Sequence, residues 1–434
     1  MHIFLTRLSS SDILRGFVST AVWSGLSKFF VLGVTFYCSN TLTQEGFGEY
    51  SFVKNTLNVL LTICAVNFSS LASKFATESL RSVVSLKRMY ILFIFVVSVG
   101  FIFGVLLLAT PLHIVKSFTG AESIAYFVKL MGALLPIFII QPVVAAVFRG
   151  YKEFNRVGRY EAAMSLLYLL LTVLGIRFLG YRGAIYAIMT YYVINSIVGV
   201  WLLYMFNHSV GYIKKVDEIG SERSVLWIMV LPLFIMSFIE VPLTWIAQAE
   251  IGRRASYAMV GGLSVIMSIR YIIQILPTYF YQAFVPYAAQ LFASGMHDEY
   301  FEKYRKIIKV ETLLQFILIP LLMFFGRFLL SLYGASYVSY YSSFIVSLVS
   351  IPLLLYGALF KVNMMIREHQ RIMLKMSVYS GLIFILCFYL FVFLHINPID
   401  SFLWAQLLQY VVQLLYGIMS YLRDKNNVAK SMIS

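Results

Sequence analysis

Apolar residues in this chain come in long runs separated by short polar stretches, and the runs predict membrane-spanning helices. In order they place segments near 13–41, 47–73, 89–112, 122–148, 160–180, 183–206, 225–250, 256–290, 307–333, 337–365, 373–395 and 399–422. Each is long enough, at about 1.5 Å per residue, to cross a hydrocarbon core of about 30 Å. The expected class is therefore all-α and polytopic, with twelve transmembrane helices. The first run is too long for a secretory leader and lacks a small-residue cleavage site, so it is expected to be the first span.

The polar connections organise these segments. The longest near mid-chain runs over 207–224 and carries Lys214-Lys215-Val216-Asp217-Glu218. It divides the segments six and six. The expected domains are an N-terminal six-helix bundle over 1–206, a cytoplasmic linker over 207–224, a C-terminal six-helix bundle over 225–422 and a cytoplasmic tail over 423–434. Local echoes fit a duplication: Gly48-Glu49-Tyr50-Ser51 opens the second segment and Ala255-Ser256-Tyr257-Ala258 opens the eighth. Lys152-Glu153-Phe154-Asn155-Arg156 follows the fourth and Arg367-Glu368-His369-Gln370-Arg371 follows the tenth. Transporters often consist of such repeats with the cargo site between them.

Charge sets the orientation. With both termini cytoplasmic, twenty-three Lys and Arg fall on the inner side and only five on the outer side. That is the bias expected of short cytoplasmic loops. It also absorbs most of the formal net charge of +15, which in a soluble protein would suggest nucleic acid. Composition agrees, with 60% hydrophobic and 12% charged residues, against roughly half and a quarter in soluble domains. Tyr and Trp gather at segment ends, as interfacial belts require.

Six cations remain inside the apolar segments: Lys28, Lys54, Lys129, Arg270, Arg327 and Lys361. A cation at the bilayer centre costs roughly 2.5–3.5 kcal/mol on insertion scales. Arg327 and Lys361 lie near segment ends, where snorkelling to the interface is the simpler reading. Lys54 and Lys129 lie in outer halves, where snorkelling and a cavity-facing role both stand. Lys28 and Arg270 are nearer mid-membrane, one in each half, and are expected to face the cavity together as an anion site. Polar residues three or four apart share a helix face. Thr20, Ser24, Ser27, Lys28 and Thr35 form such a stripe, as do Ser51, Lys54, Asn55, Asn58 and Thr62. Glu240, Thr244 and Gln248 form a third, and Arg270, Gln274 and Thr278 a fourth.

Four stripes, two from each half, are expected to line a water-filled cavity between the halves. The candidate substrate-binding residues are Lys28, Lys54, Asn58, Lys129, Glu240, Thr244, Arg270 and Gln274. Glu240 has several candidate roles: a structural bridge to Arg270, a tuner of the cationic site, or the carrier of a coupling proton. Pro136 and Pro142 are expected to interrupt the fourth segment, Pro232 and Pro242 the seventh, and Pro277 the eighth.

Soluble-type chemistry is missing from the sequence. No Gly-x-x-x-x-Gly-Lys-Ser/Thr loop is present, so ATP hydrolysis is not expected. The six His are scattered and form no metal-ligand spacing, so no metal, cofactor or catalytic residue is assigned. Cys38, Cys64 and Cys387 all fall in apolar segments and read as packing residues. Asn67-Phe68-Ser69 and Asn207-His208-Ser209 match a glycosylation triplet, but one lies in a span and the other is expected to be cytoplasmic.

Trp23-Ser24-Gly25-Leu26-Ser27-Lys28, Phe47-Gly48-Glu49-Tyr50-Ser51-Phe52 and Phe148-Arg149-Gly150-Tyr151-Lys152-Glu153-Phe154 resemble segments of the Wzx O-antigen flippases. These belong to the multidrug/oligosaccharidyl-lipid/polysaccharide (MOP) exporter superfamily. The likeness in length, span number and six-plus-six division covers the whole chain. It implies a V-shaped, MATE-like pair of bundles with a central cationic cavity lined by the first, second, seventh and eighth helices. It implies transfer of an undecaprenyl-diphosphate-linked oligosaccharide from the cytoplasmic to the periplasmic leaflet of a bacterial inner membrane. The diphosphate would meet the cations, the sugars would fill the polar cavity, and the lipid tail would stay in the bilayer. A proton or sodium gradient is a candidate driving force. A polysaccharide polymerase and a chain-length regulator are candidate partners; nucleic acid is not.

Two other readings stand beside it. A drug or cation exporter of the same superfamily needs acidic cavity residues, whereas these candidates are mainly basic. A membrane glycosyltransferase or polymerase needs large loops or an acidic catalytic cluster, and the loops here are short.

Overall fold

The computed structural model describes residues 2–65, 68–79, 83–151, 153–210, 234, 238–367 and 369–431, and all regular structure among them is helical. Eight helical stretches among the described residues are long and apolar enough to cross a membrane. Large apolar side chains such as Phe178, Phe316, Phe324 and Phe393 stand 76–81% exposed. An apolar surface of this extent is what a lipid-facing wall requires. The Cα packing divides the chain into two units. One comprises residues 1–245 with 252–258, and the other residues 246–251 with 259–434.

In the first unit, α1 (His2–Thr41) leads through a tight turn into α2 (Gln44–Cys64). Thr43 caps α2, its hydroxyl accepting from the Gly46 amide at 3.1 Å. The second expected segment is broken after Ala65, and the chain resumes as α3 (Ser69–Ser79). Ser69 opens that helix. Next come α4 (Val83–Ala109) and a short α5 (Leu112–Thr119), the latter in a stretch expected to be loop. Gly120, at φ 78°, closes α5 in the left-handed region.

The fourth expected segment is two helices, α6 (Glu122–Phe138) and α7 (Ile140–Gly150), parted at Ile139 between Pro136 and Pro142. Pro136 removes the helical partner of the Gly132 carbonyl. That carbonyl instead faces Gly104 of α4, where an added Cβ would come within 2.5 Å of it.

A single helical stretch, α8 (Phe154–Val210), covers the fifth and sixth expected segments. Its backbone leaves the helical region at Gly180 (φ 58°, ψ −141°). The two arms fold back on each other. Gly175 and Gly183 meet backbone to backbone, the Tyr168 and Tyr191 rings stack at 4.8 Å, and Tyr160 donates to the Asn195 backbone and side-chain oxygens. These pairs are separated by ever more residues with distance from Gly180, which is the signature of an antiparallel hairpin. Small residues at the crossing let the backbones approach closely, as membrane helices require.

Only part of the seventh expected segment is described, as α9 (Glu240–Arg254); Pro232 lies outside the described residues. Pro242 falls in the first turn of α9, where a missing N–H breaks no helical bond. The eighth segment, α10 (Tyr257–Ala293), runs through Pro277 as one helix. Loss of one backbone hydrogen bond at Pro277 does not end the helix.

The second unit continues with α11 (His297–Leu332), a 3₁₀ turn at Ala335–Tyr340, α12 (Tyr341–Ile366), α13 (Gln370–Phe393) and α14 (Pro398–Ser431). One of its cores gathers Tyr300, Phe301, Tyr304 and Phe360 with Tyr421. The Arg367 guanidinium lies over the Phe292 and Phe301 rings at 5.1 and 5.4 Å.

Candidate functional site

The first unit holds two of the cations together. Lys54 projects from α2, and its ammonium donates to the Thr35 hydroxyl of α1 at 3.4 Å. Lys28 of α1 lies near enough for the two positive charges to repel. Lys54 has no other hydrogen bond and no ion pair among the described residues. Asn58, one turn further along α2, is exposed and extends the same helix face.

The wall behind this pair is stiff. Tyr50, one turn before Lys54, is fully buried and its hydroxyl meets that of Tyr168 on α8. The Tyr168 ring then stacks on Tyr191, which packs against Tyr192 at 5.0 Å. On α1, Ser27 is buried and bonds to Ser165 of α8 at 2.7 Å, and Trp23 donates to Asn155 at 2.9 Å. The stripe read on α1 therefore divides in two. Ser27 fastens the helix to α8, while Lys28 and Thr35 turn toward Lys54.

At the Gln44 end of α2, Glu45 accepts from the backbone amides of Tyr257 and Ala258 at 3.2 and 2.9 Å. A carboxylate on the first amides of a helix satisfies orphan donors and meets the positive end of the helix dipole. The Tyr257 hydroxyl donates to the Thr119 carbonyl, and Trp245 donates to Thr56 at 2.8 Å. Phe52 lies between the Trp245 and Tyr257 rings. Thr244 beside Trp245 satisfies its hydroxyl on the Val241 carbonyl of its own helix. Glu240 opens α9, and its side chain lies outside the described residues. Lys129 is half-buried on α6 and makes no hydrogen bond or ion pair among the described residues.

The second unit holds Arg270 on α10. It is 7% exposed and makes two hydrogen bonds to α14: Nη1 donates to Gln406 Oε1 at 2.7 Å and Nη2 to the Tyr410 hydroxyl at 3.3 Å. Its guanidinium stands 5.8 Å from the centre of the Tyr410 ring. Both partners are neutral, and no carboxylate among the described residues pairs with it. Gln274, one turn on, is half-buried. Arg327 is exposed and covers the Tyr341 ring at 5.1 Å, as an interfacial anchor would.

Three groups of residues escaped the sequence reading. The first is the tyrosine wall. The second is the row Gln406, Gln409, Gln413 on α14, each at most 7% exposed. The third is Glu311 on α11, a buried carboxylate that accepts from Gln315 at 3.2 Å. An i, i+3, i+7 search for amides in apolar helices would have found the second, and a lone acid inside an apolar run the third. Among the described residues no cluster of His, Cys, Asp and Glu could hold a metal.

Residues 13–292 match the model of a family described as polysaccharide biosynthesis protein. Among curated proteins nothing matches significantly. Solved structures with the same fold include a MOP superfamily transporter from Pyrococcus furiosus, for which reverse polarity of the binding pocket suggests a different function. It is 16% identical with TM-score 0.66, over 94% of this chain and 95% of that one. A multidrug resistance MATE family transporter in its inward-facing conformation is 13% identical with TM-score 0.73, over 93% and 95% of the two chains. An outward-facing MATE structure is 15% identical with TM-score 0.67, over 97% and 96%.

Proposed function

Because the chain belongs to the polysaccharide biosynthesis protein family and has the all-helical fold of the MOP superfamily transporters, we propose that it is a flippase for lipid-linked oligosaccharides. Its cargo is an undecaprenyl-diphosphate-linked repeat unit, carried from the cytoplasmic to the periplasmic leaflet of a bacterial inner membrane by alternating access. The chain crosses twelve times with both termini in the cytoplasm, and works beside a polymerase and a chain-length regulator. Family and fold point to a transporter rather than an enzyme.

The observation that carries this reading is the Lys28–Lys54 pair. Two ammoniums within repulsive reach of one another, the second hydrogen-bonded only to a neutral hydroxyl, favour the arrival of an anion. A diphosphate offers acceptors only, and Lys offers donors only. Moving that headgroup through hydrocarbon without such partners would be costly. Asn58, Lys129 and Thr244 in the first unit are proposed as further headgroup contacts, and Arg270 and Gln274 in the second as sugar contacts. Two acids, Glu240 by its depth in the sequence and the buried Glu311 of α11, are the candidates for coupling to a proton or sodium gradient. A cation exporter of the same fold would instead need a carboxylate where Lys28 and Lys54 stand.

Deletion of the gene in its host, with complementation by the wild type or by Lys28→Ala/Lys54→Ala, tests the reading. Repeat units on their lipid carrier are expected to accumulate in the cytoplasmic leaflet after deletion and to stay there with the double variant. Deletion without accumulation, or full rescue by a correctly inserted double variant, overturns it.

A further inference from the structure

A second recognition element lies wholly within the C-terminal unit, where α10 meets α14. Arg270 is buried there, and among the described residues its hydrogen-bond partners are neutral. An arginine does not shed its charge in a protein. A buried cation without a counter-ion is expensive, and such a group is retained where a ligand supplies the missing charge. Among the described residues Arg270 spends two of its five N–H donors, both on neutral oxygens.

The residues around it are amides. Gln406, Gln409 and Gln413 fall at i, i+3 and i+7 on one face of α14 and are 7%, 4% and 4% exposed. Gln406 gives its carbonyl oxygen to Arg270, and its NH₂ group has no acceptor among the described residues. Gln409 has no hydrogen bond at all among them. Gln413 donates to Ser380 of α13 at 3.3 Å. The unspent amide groups of Gln406 and Gln409 are not among the fully buried atoms, so the row reaches accessible surface. It is a good surface for a ligand that both donates and accepts. Tyr410 adds an aromatic face beside the guanidinium.

We propose that Arg270 with Gln406, Gln409, Tyr410 and Gln413 forms a subsite for an acidic sugar, in which the guanidinium holds the ring carboxylate and the amides hold neighbouring hydroxyls. The chemistry separates this site from the lysine pair of the other unit. A diphosphate presents only acceptors, and the carbonyl oxygens of a glutamine row would repel it. Sugar hydroxyls donate and accept, so each amide finds both partners. A planar carboxylate matches the fork of an arginine, whereas a diphosphate is served as well by point-like ammoniums. The inference rests on the flippase reading for the identity of the cargo, and it names one property of that cargo: its repeat unit carries a sugar acid.

Calorimetric titration of the full-length protein in nanodiscs tests this with four soluble probes. They are a glucuronic-acid-containing disaccharide, its neutral glucose counterpart, a sugar monophosphate and inorganic pyrophosphate. The acidic disaccharide is expected to bind at least tenfold more tightly than the neutral one. Arg270→Gln and Gln409→Leu each weaken it by roughly tenfold or more. Arg270→Lys, which keeps the charge and the fold but loses the fork, weakens it as well. Pyrophosphate affinity is unchanged in these three variants and falls in Lys28→Ala/Lys54→Ala.

Equal binding of the acidic and neutral disaccharides overturns the proposal, as does wild-type affinity in Gln409→Leu and Arg270→Lys. Tighter binding of the sugar phosphate overturns the carboxylate assignment. The two readings fail separately. If gene deletion causes no accumulation while the acidic disaccharide still binds, the flippase reading falls and the subsite stands. If accumulation occurs and the acidic disaccharide does not bind, the subsite alone falls.

Discussion

Arg270 and Gln406, 136 positions apart, meet at 2.7 Å inside the C-terminal unit, and no carboxylate among the described residues completes the pair. The arrangement orients the guanidinium without neutralising it. A structural ion pair would show the reverse, with an acid matched to the base. Replacing both partners by apolar groups of similar volume should therefore relieve a desolvation penalty rather than remove a needed bond. Arg270→Met/Gln406→Leu is expected to melt at or above the wild-type temperature, with a gain of ~1–3 kcal/mol. Thermal unfolding of the purified protein measures this. A clear loss of stability would make the pair a structural brace and leave no reason to invoke a ligand.

The α8 hairpin makes a second prediction from glycines with opposite surroundings. An added Cβ at Gly183 would run into the Gly175 carbonyl, whereas at Gly25 it would meet nothing within 4 Å. Gly183→Ala must push the two arms apart, at ~1–3 kcal/mol. Gly25→Ala lies within α1 and should gain ~0.5–1 kcal/mol from reduced backbone entropy in the unfolded chain. Opposite shifts in melting temperature are expected for the two variants. Equal shifts, or a stabilising Gly183→Ala, would contradict the backbone contact between the arms.

The same hairpin marks where the sequence was readable. Gly180-Tyr181-Arg182 interrupts an apolar run with a glycine and a charge, and the chain turns at that glycine. Likewise Pro136 and Pro142 bracket the break at Ile139. Other breaks leave no such mark. The end of α2 at Cys64 lies inside the second expected segment, where no glycine or proline stands to mark it. Pro277 leaves no break, because a proline signals a missing bond and not the end of a helix.

The site shows the same contrast. Lys28, Lys54 and Arg270 stood out because charge is rare in apolar segments. Gln406 and Gln409 did not, because an amide in an apolar helix is ordinary. Their meaning depends on Arg270, which only the fold brings near. Glu45 was invisible for a related reason. It looks like a loop acid, and its role is set by two amides more than two hundred residues away.

The lysine pair yields the sharpest test of a shared anion site. Lys28 and Lys54 are near enough to repel in the empty protein. A diphosphate that bridges them removes this repulsion and gains from both. If one anion is held by both ammoniums, their contributions to its affinity are coupled, and single substitutions do not add. Lys28→Ala and Lys54→Ala are each expected to weaken pyrophosphate binding by about tenfold. The double variant should lose less than the product of the two single losses, with a coupling of ~0.5–3 kcal/mol. Binding should also weaken as salt rises in the wild type, and less steeply in each single variant, because fewer charges are engaged. Strict additivity, with an unchanged salt dependence, would mean that the two lysines act at separate places and that their proximity has no part in gripping the cargo.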